Sequence, residues 1–197
     1  MLDQPSSLQG GKSLSGRRPR LDFQDHLADL EANGLLVRID RLINKDTELH
    51  PLVRWQFLGG VPEDKRRAFL FTNVTDAKGR RYDIPVVVGA LAASPDIYAI
   101  GMGQPVDEIG AAWMRAIANP IAPVAVGNPP CQEVVLTGDD LKAASGGEEL
   151  GGKGLAGLAR LPVPVSTPGF DSAPYLTATL CVTRDPDSGV QNMGTYR

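Results

Sequence analysis

The sequence predicts a mixed α/β front domain that feeds a β-barrel-like segment at its C-terminal end. Three observations carry that expectation. Short apolar strand-like runs alternate with helix-spaced apolar stripes between residues 21 and 143, a glycine- and proline-rich belt follows at 144–174, and residues 175–197 read as an alternating hairpin.

A chain of 197 residues is long enough for one good core, or for one domain and part of another. Its hydrophobic share is 42% with no long apolar run, so it reads as soluble and globular. A net charge of −3 with both signs interspersed offers no basic footprint for nucleic acid and no polybasic membrane patch. Cys131 and Cys181 are too few and too far apart for a disulfide framework or a paired-cysteine zinc site. They read as reduced thiols of a cytoplasmic protein. Residues 1–20 are rich in Ser and Gly, lack the apolar core of a secretory signal, and read as a disordered tail.

In chain order, Asp22 can cap a helix carrying Phe23, Leu27 and Leu30 at helical spacing, with Gly34 at its stop. Residues 35–39 follow as a strand. Asp46 or Thr47 can cap a second helix running towards Phe57, with Pro51 tolerated in its first turn. His26 and His50 have no ligand partner at metal spacing and read as surface or capping histidines. The apolar runs 68–74 and 84–90 are joined by Asp76-Ala-Lys-Gly79, as neighbouring strands would be. Lys78, Arg80 and Arg81 at this connection read as a solvated face. Ser94-Pro95-Asp96 opens a third helix, closed by Gly101 and Gly103.

Residues 105–119 give the strongest helical signal. Val106, Ile109, Ala112, Trp113 and Ile117 form one stripe, which marks Trp113 as core rather than a cofactor platform. Short strands are expected at 123–126 and 133–136. The glycine-rich run 144–157 contains Lys153 but no Gly-Lys-Ser or Gly-Lys-Thr, so it is a flexible connection and no phosphate loop. Pro162, Pro164 and Pro168 stiffen the approach to Tyr175. The expected organisation is a front domain at 21–143, a linker at 144–174, and the first strands of a second, incomplete domain at 175–197.

The last stretch concentrates site-like chemistry. Residues 175–183 alternate as a half-buried strand does, and Arg184-Asp-Pro-Asp-Ser-Gly189 is a reversing turn built on Pro186, two aspartates and Gly189. In the returning strand, Asn192, Thr195, Tyr196 and Arg197 bring amide, hydroxyl and guanidinium groups that are costly to bury without partners. An amide oxygen suits a hard cation, and a guanidinium suits a carboxylate or phosphate. A solvated edge strand would carry the same residues. Strict alternation puts Asn192 and Arg197 on opposite faces, unless a bulge at Gly194 re-aims the residues after it.

The run Thr183-Arg-Asp-Pro-Asp-Ser-Gly-Val-Gln-Asn-Met-Gly-Thr-Tyr-Arg197, preceded by Pro174-Tyr-Leu-Thr-Ala, resembles the UbiD family of decarboxylases that use prenylated FMN. Weaker similarity extends back to about Leu21. The resemblance implies that Asn192 holds a divalent metal, manganese in type with potassium beside it, that ties down the cofactor phosphate. It implies that Thr195, Tyr196 and Arg197 line the cofactor, and that Arg197 also meets the substrate carboxylate as a catalytic residue. It further implies an N-terminal α/β domain, a split β-barrel for the flavin, a homo-oligomer, and a flavin prenyltransferase as cofactor supplier. Family members are longer, so the remaining metal-binding acid, the catalytic glutamates and most of the barrel are expected beyond Arg197. The expected function is reversible, non-oxidative decarboxylation of an aromatic or α,β-unsaturated acid, the 197-residue piece being inactive by itself. The alternative is a non-catalytic assembly module whose incomplete barrel pairs with a partner chain.

Overall fold

The computed structural model describes residues 22–141 and 157–196. The expected tail at 1–20, most of the glycine-rich run and Arg197 lie outside them. The described chain is a mixed α/β fold of small sheets, with no closed barrel among the described residues.

The centre of the front part is β3 (Ala68–Phe71), flanked by β1 (Leu36–Ile39) in parallel and β6 (Val86–Val88) antiparallel. A strand covered on both faces reads as an unbroken apolar run, and Ala-Phe-Leu-Phe is one. On one face Ala68 packs with Leu27 and Leu30 of α1 (Phe23–Ala32) and Ile97 of α3 (Pro95–Met102). On the other, Phe71 packs with Leu49 and Val53 of α2 (Leu49–Leu58) and with Ile43, Val74 and Tyr82. Those last three belong to a second small sheet of β2 (Ile43–Asn44), β4 (Val74–Thr75) and β5 (Arg81–Tyr82), ordered β2-β4-β5. The side chain of Gln56 fastens α2 to the start of β3, accepting from Arg67 N at 2.9 Å and donating to Arg67 O at 3.0 Å.

The helix ends follow their capping chemistry. Asp22 accepts from Asp25 N at 3.0 Å, and Ser94 accepts from Ile97 N with Pro95 at the first helical position. Gly103 stops α3 in the left-handed region at φ 64°, whereas Gly101 lies inside the helix. At α2 the expected cap is displaced. Asn44 Oδ1 takes the N–H groups of Asp46 and Thr47, and Glu48 occupies the capping position without a side-chain bond to the helix.

Two further expectations fail. No strand forms at 123–126 or 133–136, and neither segment is paired in any sheet of the described residues. The helix α4 (Ile109–Ala118) forms as expected, preceded by a 3₁₀ turn at Val106–Glu108, yet none of its residues is buried. Trp113 is 47% exposed, its indole N–H donating to the Tyr98 hydroxyl at 2.7 Å, so it is no core residue here. No described helix is long and apolar enough to cross a membrane.

Candidate functional site

The final hairpin pairs β7 (Thr179–Arg184) with β8 (Gln191–Tyr196). Its turn is held by Asp185, whose Oδ1 accepts from Ser188 N at 2.7 Å and Asp187 N at 2.8 Å. These two bonds hold the Asp185 carboxyl below its ordinary range. Gly189 adopts φ 71°, which the reversal requires.

Register divides the site residues. Thr183 stands opposite Asn192, Cys181 opposite Gly194 and Thr179 opposite Tyr196, so these six share one face. Leu180 and Thr195, with Val182 and Met193, share the other. The pairing runs unbroken through Gly194, so there is no bulge to re-aim the strand. The structure brings Asn192 and Tyr196 together and sets Thr195 behind them. Gly194 has its own reason to be small: a Cβ there would lie 2.7 Å from Tyr196 Cε2, because the phenol ring folds back over it. Thr179 Oγ1 donates to Tyr196 O at 3.1 Å and closes this end. Both faces of the hairpin are largely exposed.

On the Thr195 side lies a cleft of about 690 Å³. The hairpin and its approach supply Tyr175, Leu176, Leu180 and Thr195, while β6 and the turn at 89–93 form the opposite wall. That turn is tightly specified. Gly89 sits at φ 79°, where a Cβ would approach Ala93 Cβ to 3.2 Å, and Ala93 N donates back to Gly89 O at 3.2 Å. His26, expected at the surface, is buried and its Nε2 lies 2.7 Å from Ala90 O. A carbonyl only accepts, so Nε2 carries the proton, and Nδ1 is left buried without a partner. His50 is half-buried in the cleft wall. Burial lowers its pKa, the charge of Asp171 opposing, which favours the neutral imidazole.

A second cleft of about 380 Å³ adjoins the first and is lined by Lys45, Arg80 and Tyr82. Here sequence reasoning missed a polar cluster. Asp76, fully buried, accepts from Arg80 Nε at 2.5 Å, from Tyr82 Oη at 3.1 Å, and from the backbone N–H groups of Lys78 and Arg80 at 2.9 Å each. Desolvation of Asp76 works against its charge, and these donors outweigh it, so its pKa is lowered. The Tyr82 hydroxyl is pushed up to about 12 by burial and by the Asp76 carboxylate. Arg80 is therefore a structural partner and no mere member of a solvated face. Buried Lys45 donates to Asp46 Oδ1 at 2.6 Å and to Val163 O at 2.8 Å, fastening the approach segment to the front part. The visible signal was a lone lysine after the two-residue strand β2, which cannot name its partner 118 positions away.

The hairpin's polar face, with a glycine under a folded-back ring and hydroxyl and amide groups in a row, can accept a polar planar ligand. No group of three His, Cys, Asp or Glu side chains converges among the described residues, and Asn192 with Thr183 offers only neutral oxygens.

Two adjoining domain models match the chain: the 3-octaprenyl-4-hydroxybenzoate carboxy-lyase N-terminal domain over residues 27–117, and the Rift-related domain of the same enzyme type over 122–197. The chain belongs to the UbiD family. Among solved structures it is similar to an evolved dimeric form of the UbiD-class enzyme HmfF from Pelotomaculum thermopropionicum in complex with prFMN. That match has 27% identity and a TM-score of 0.59, over 87% of this chain and 34% of that one. The HmfF structure in complex with FMN matches at 28% identity and TM-score 0.57, over 87% and 33%. Vanillic acid decarboxylase of Sedimentibacter hydroxybenzoicus in open form shares the fold at 21% identity and TM-score 0.61, over 88% and 33%. The chain thus spans about a third of the length of these solved relatives.

Proposed function

We propose that this chain supplies the front part of a carboxy-lyase that reversibly and non-oxidatively decarboxylates an aromatic or α,β-unsaturated acid with prenylated FMN. The observation that carries the reading is the hairpin on which Asn192, Gly194 and Tyr196 share one face. It occurs in a UbiD-family chain whose solved relatives include an enzyme in complex with prFMN. Loss of CO₂ leaves a carbanion that side chains stabilise poorly, and bound prenylated FMN supplies the electron sink. The chain's own residues bind and orient. Thr195 and Tyr196 would bind the cofactor, and Arg197, just outside the described residues, would offer a guanidinium to the substrate carboxylate. Asn192 would be one donor to a manganese ion, the other donors and any potassium site coming from elsewhere. The same reading places the protein in the cytoplasm as a homo-oligomer supplied by a flavin prenyltransferase. It divides the chain into a front domain to 143, a connection to 174, and cofactor-domain strands after it.

The test is full-length protein co-produced with a flavin prenyltransferase and analysed by absorbance and mass. Wild type should carry the modified flavin, and Asn192→Ala should lose most of its flavin and metal while the protein stays folded. Protein that folds but never holds a modified flavin would sink the reading. It would favour instead an assembly module, for which the exposure of both hairpin faces speaks.

A further inference from the structure

The smaller of the two clefts joins cations to an apolar wall. Lys45 and Arg80 line it, while their carboxylate partners Asp46 and Asp76 stand behind and form no part of the lining. Arg80 gives its Nε proton to Asp76, which fixes the plane of the guanidinium and leaves its Nη1 and Nη2 protons as an end-on fork. Lys45 is buried and gives two of its three Nζ protons to Asp46 and to Val163 O, so its charge stays at the wall. The Tyr82 hydroxyl donates to Asp76 and is un-ionised at neutral pH, so it brings no negative charge. The rest of the lining includes Leu161, Val163, Pro174 and Leu176. A two-pronged N–H fork matches the two oxygens of a carboxylate, and hydrocarbon beside it gains by covering an apolar body. Inorganic phosphate satisfies the first half of such a wall and gains nothing from the second. The volume, about 380 Å³, lies at the small end of ligand sites.

We infer that this cleft binds a small organic acid in its carboxylate form, held by Arg80 and covered by the apolar wall, at a site separate from the one assigned to Arg197. Arg80 belongs to the front part, and Val163, Pro174 and Leu176 to the approach to the hairpin. A bound acid therefore bridges the two and adds to the tie between Lys45 and Val163. The inference does not depend on the decarboxylase reading.

The experiment uses full-length protein carrying Arg197→Met, which removes the other guanidinium offered to a carboxylate. The probes are 2-naphthoate and its neutral counterpart 2-naphthamide, with affinities measured by equilibrium dialysis at neutral pH. The acid should bind about tenfold more tightly than the amide, as a charge-assisted pair requires. Ala159→Glu, at an exposed position in the lining, places a competing carboxylate in the cleft and should lower naphthoate affinity about tenfold or more. Ala159→Gln, of equal size and uncharged, should lower it far less, which separates charge from bulk and from misfolding. Arg80→Lys should weaken naphthoate severalfold, since an ammonium has no fork. Naphthoate should also raise the melting temperature of the parent protein and not that of Ala159→Glu. Equal affinity for acid and amide, equal losses in the Glu and Gln variants, or displacement of naphthoate by an equal concentration of inorganic phosphate overturns the inference. With Arg197 restored, flavin content reports on the decarboxylase reading separately. Acid binding in protein that never holds a modified flavin would support this site and sink that reading, and flavin retention without acid binding would do the reverse.

Discussion

At Asp76 a single carboxylate takes four donors, and its removal would leave the hydroxyl of Tyr82 and two N–H groups short of a partner. Arg80 is 39% exposed and can turn to water, which limits the loss. Asp76→Asn is therefore expected to cost about 2–3 kcal/mol in urea unfolding at neutral pH. The sign of its pH dependence comes from the lowered pKa. The carboxylate's contribution is complete above the ordinary aspartate range and is lost as pH falls through the lower folded-state value. The gap between wild type and Asp76→Asn should close with acidification, and a gap that widened would contradict the assignment. Little of this cluster was legible in the sequence. The turn Asp76-Ala-Lys-Gly79 was recognisable, but four-residue spacing pairs Asp76 with Arg80 only once the β4–β5 reversal exists. Likewise His26 looked solvated because its partner is a backbone carbonyl on Ala90, and a carbonyl leaves no mark in a sequence.

Among the elements, α3 was the most legible, because Ser94, Pro95 and Gly103 each state a backbone requirement. Ser94→Ala should cost about 1 kcal/mol, the usual value of an N-cap. Gly103→Ala should cost a similar amount, since its φ of 64° strains any side chain. The two lie at opposite ends of one helix, so the double variant should sum in thermal unfolding, and marked non-additivity would mean the ends are coupled. The α4 stripe was equally visible, but periodicity reports that a face is apolar and not that anything covers it. The two missing strands failed for a related reason: a short apolar run becomes a strand only where a neighbour offers its hydrogen bonds. The final hairpin was read correctly as two strands and a turn. Its register stood open between strict alternation and a bulge at Gly194, since continuity there is decided by pairing with Cys181.

Over the whole molecule, the buried residues sit around β3, while the hairpin keeps Leu180, Val182, Val190 and Met193 more than half exposed. Contiguous apolar surface of this kind promotes association. The 197-residue polypeptide alone should bind a hydrophobic dye and sediment as concentration-dependent oligomers. Val182→Thr with Met193→Thr, two residues facing each other on one side of the hairpin, should reduce both signals without lowering the melting temperature. Monomeric, dye-free wild type would contradict this. The Lys45 bond to Val163 also sets an order of events in time. Its partners are 118 positions apart, so closing that loop precedes any reward from the contact, and the bond belongs after the main folding barrier. Lys45→Met, neutral and of similar length, should speed unfolding about fivefold for each kcal/mol lost and leave the refolding rate unchanged. Stopped-flow measurements in urea would show this, and slowed refolding would place the tie early instead. The stretch that walls both clefts would then be the last part fastened and the first released.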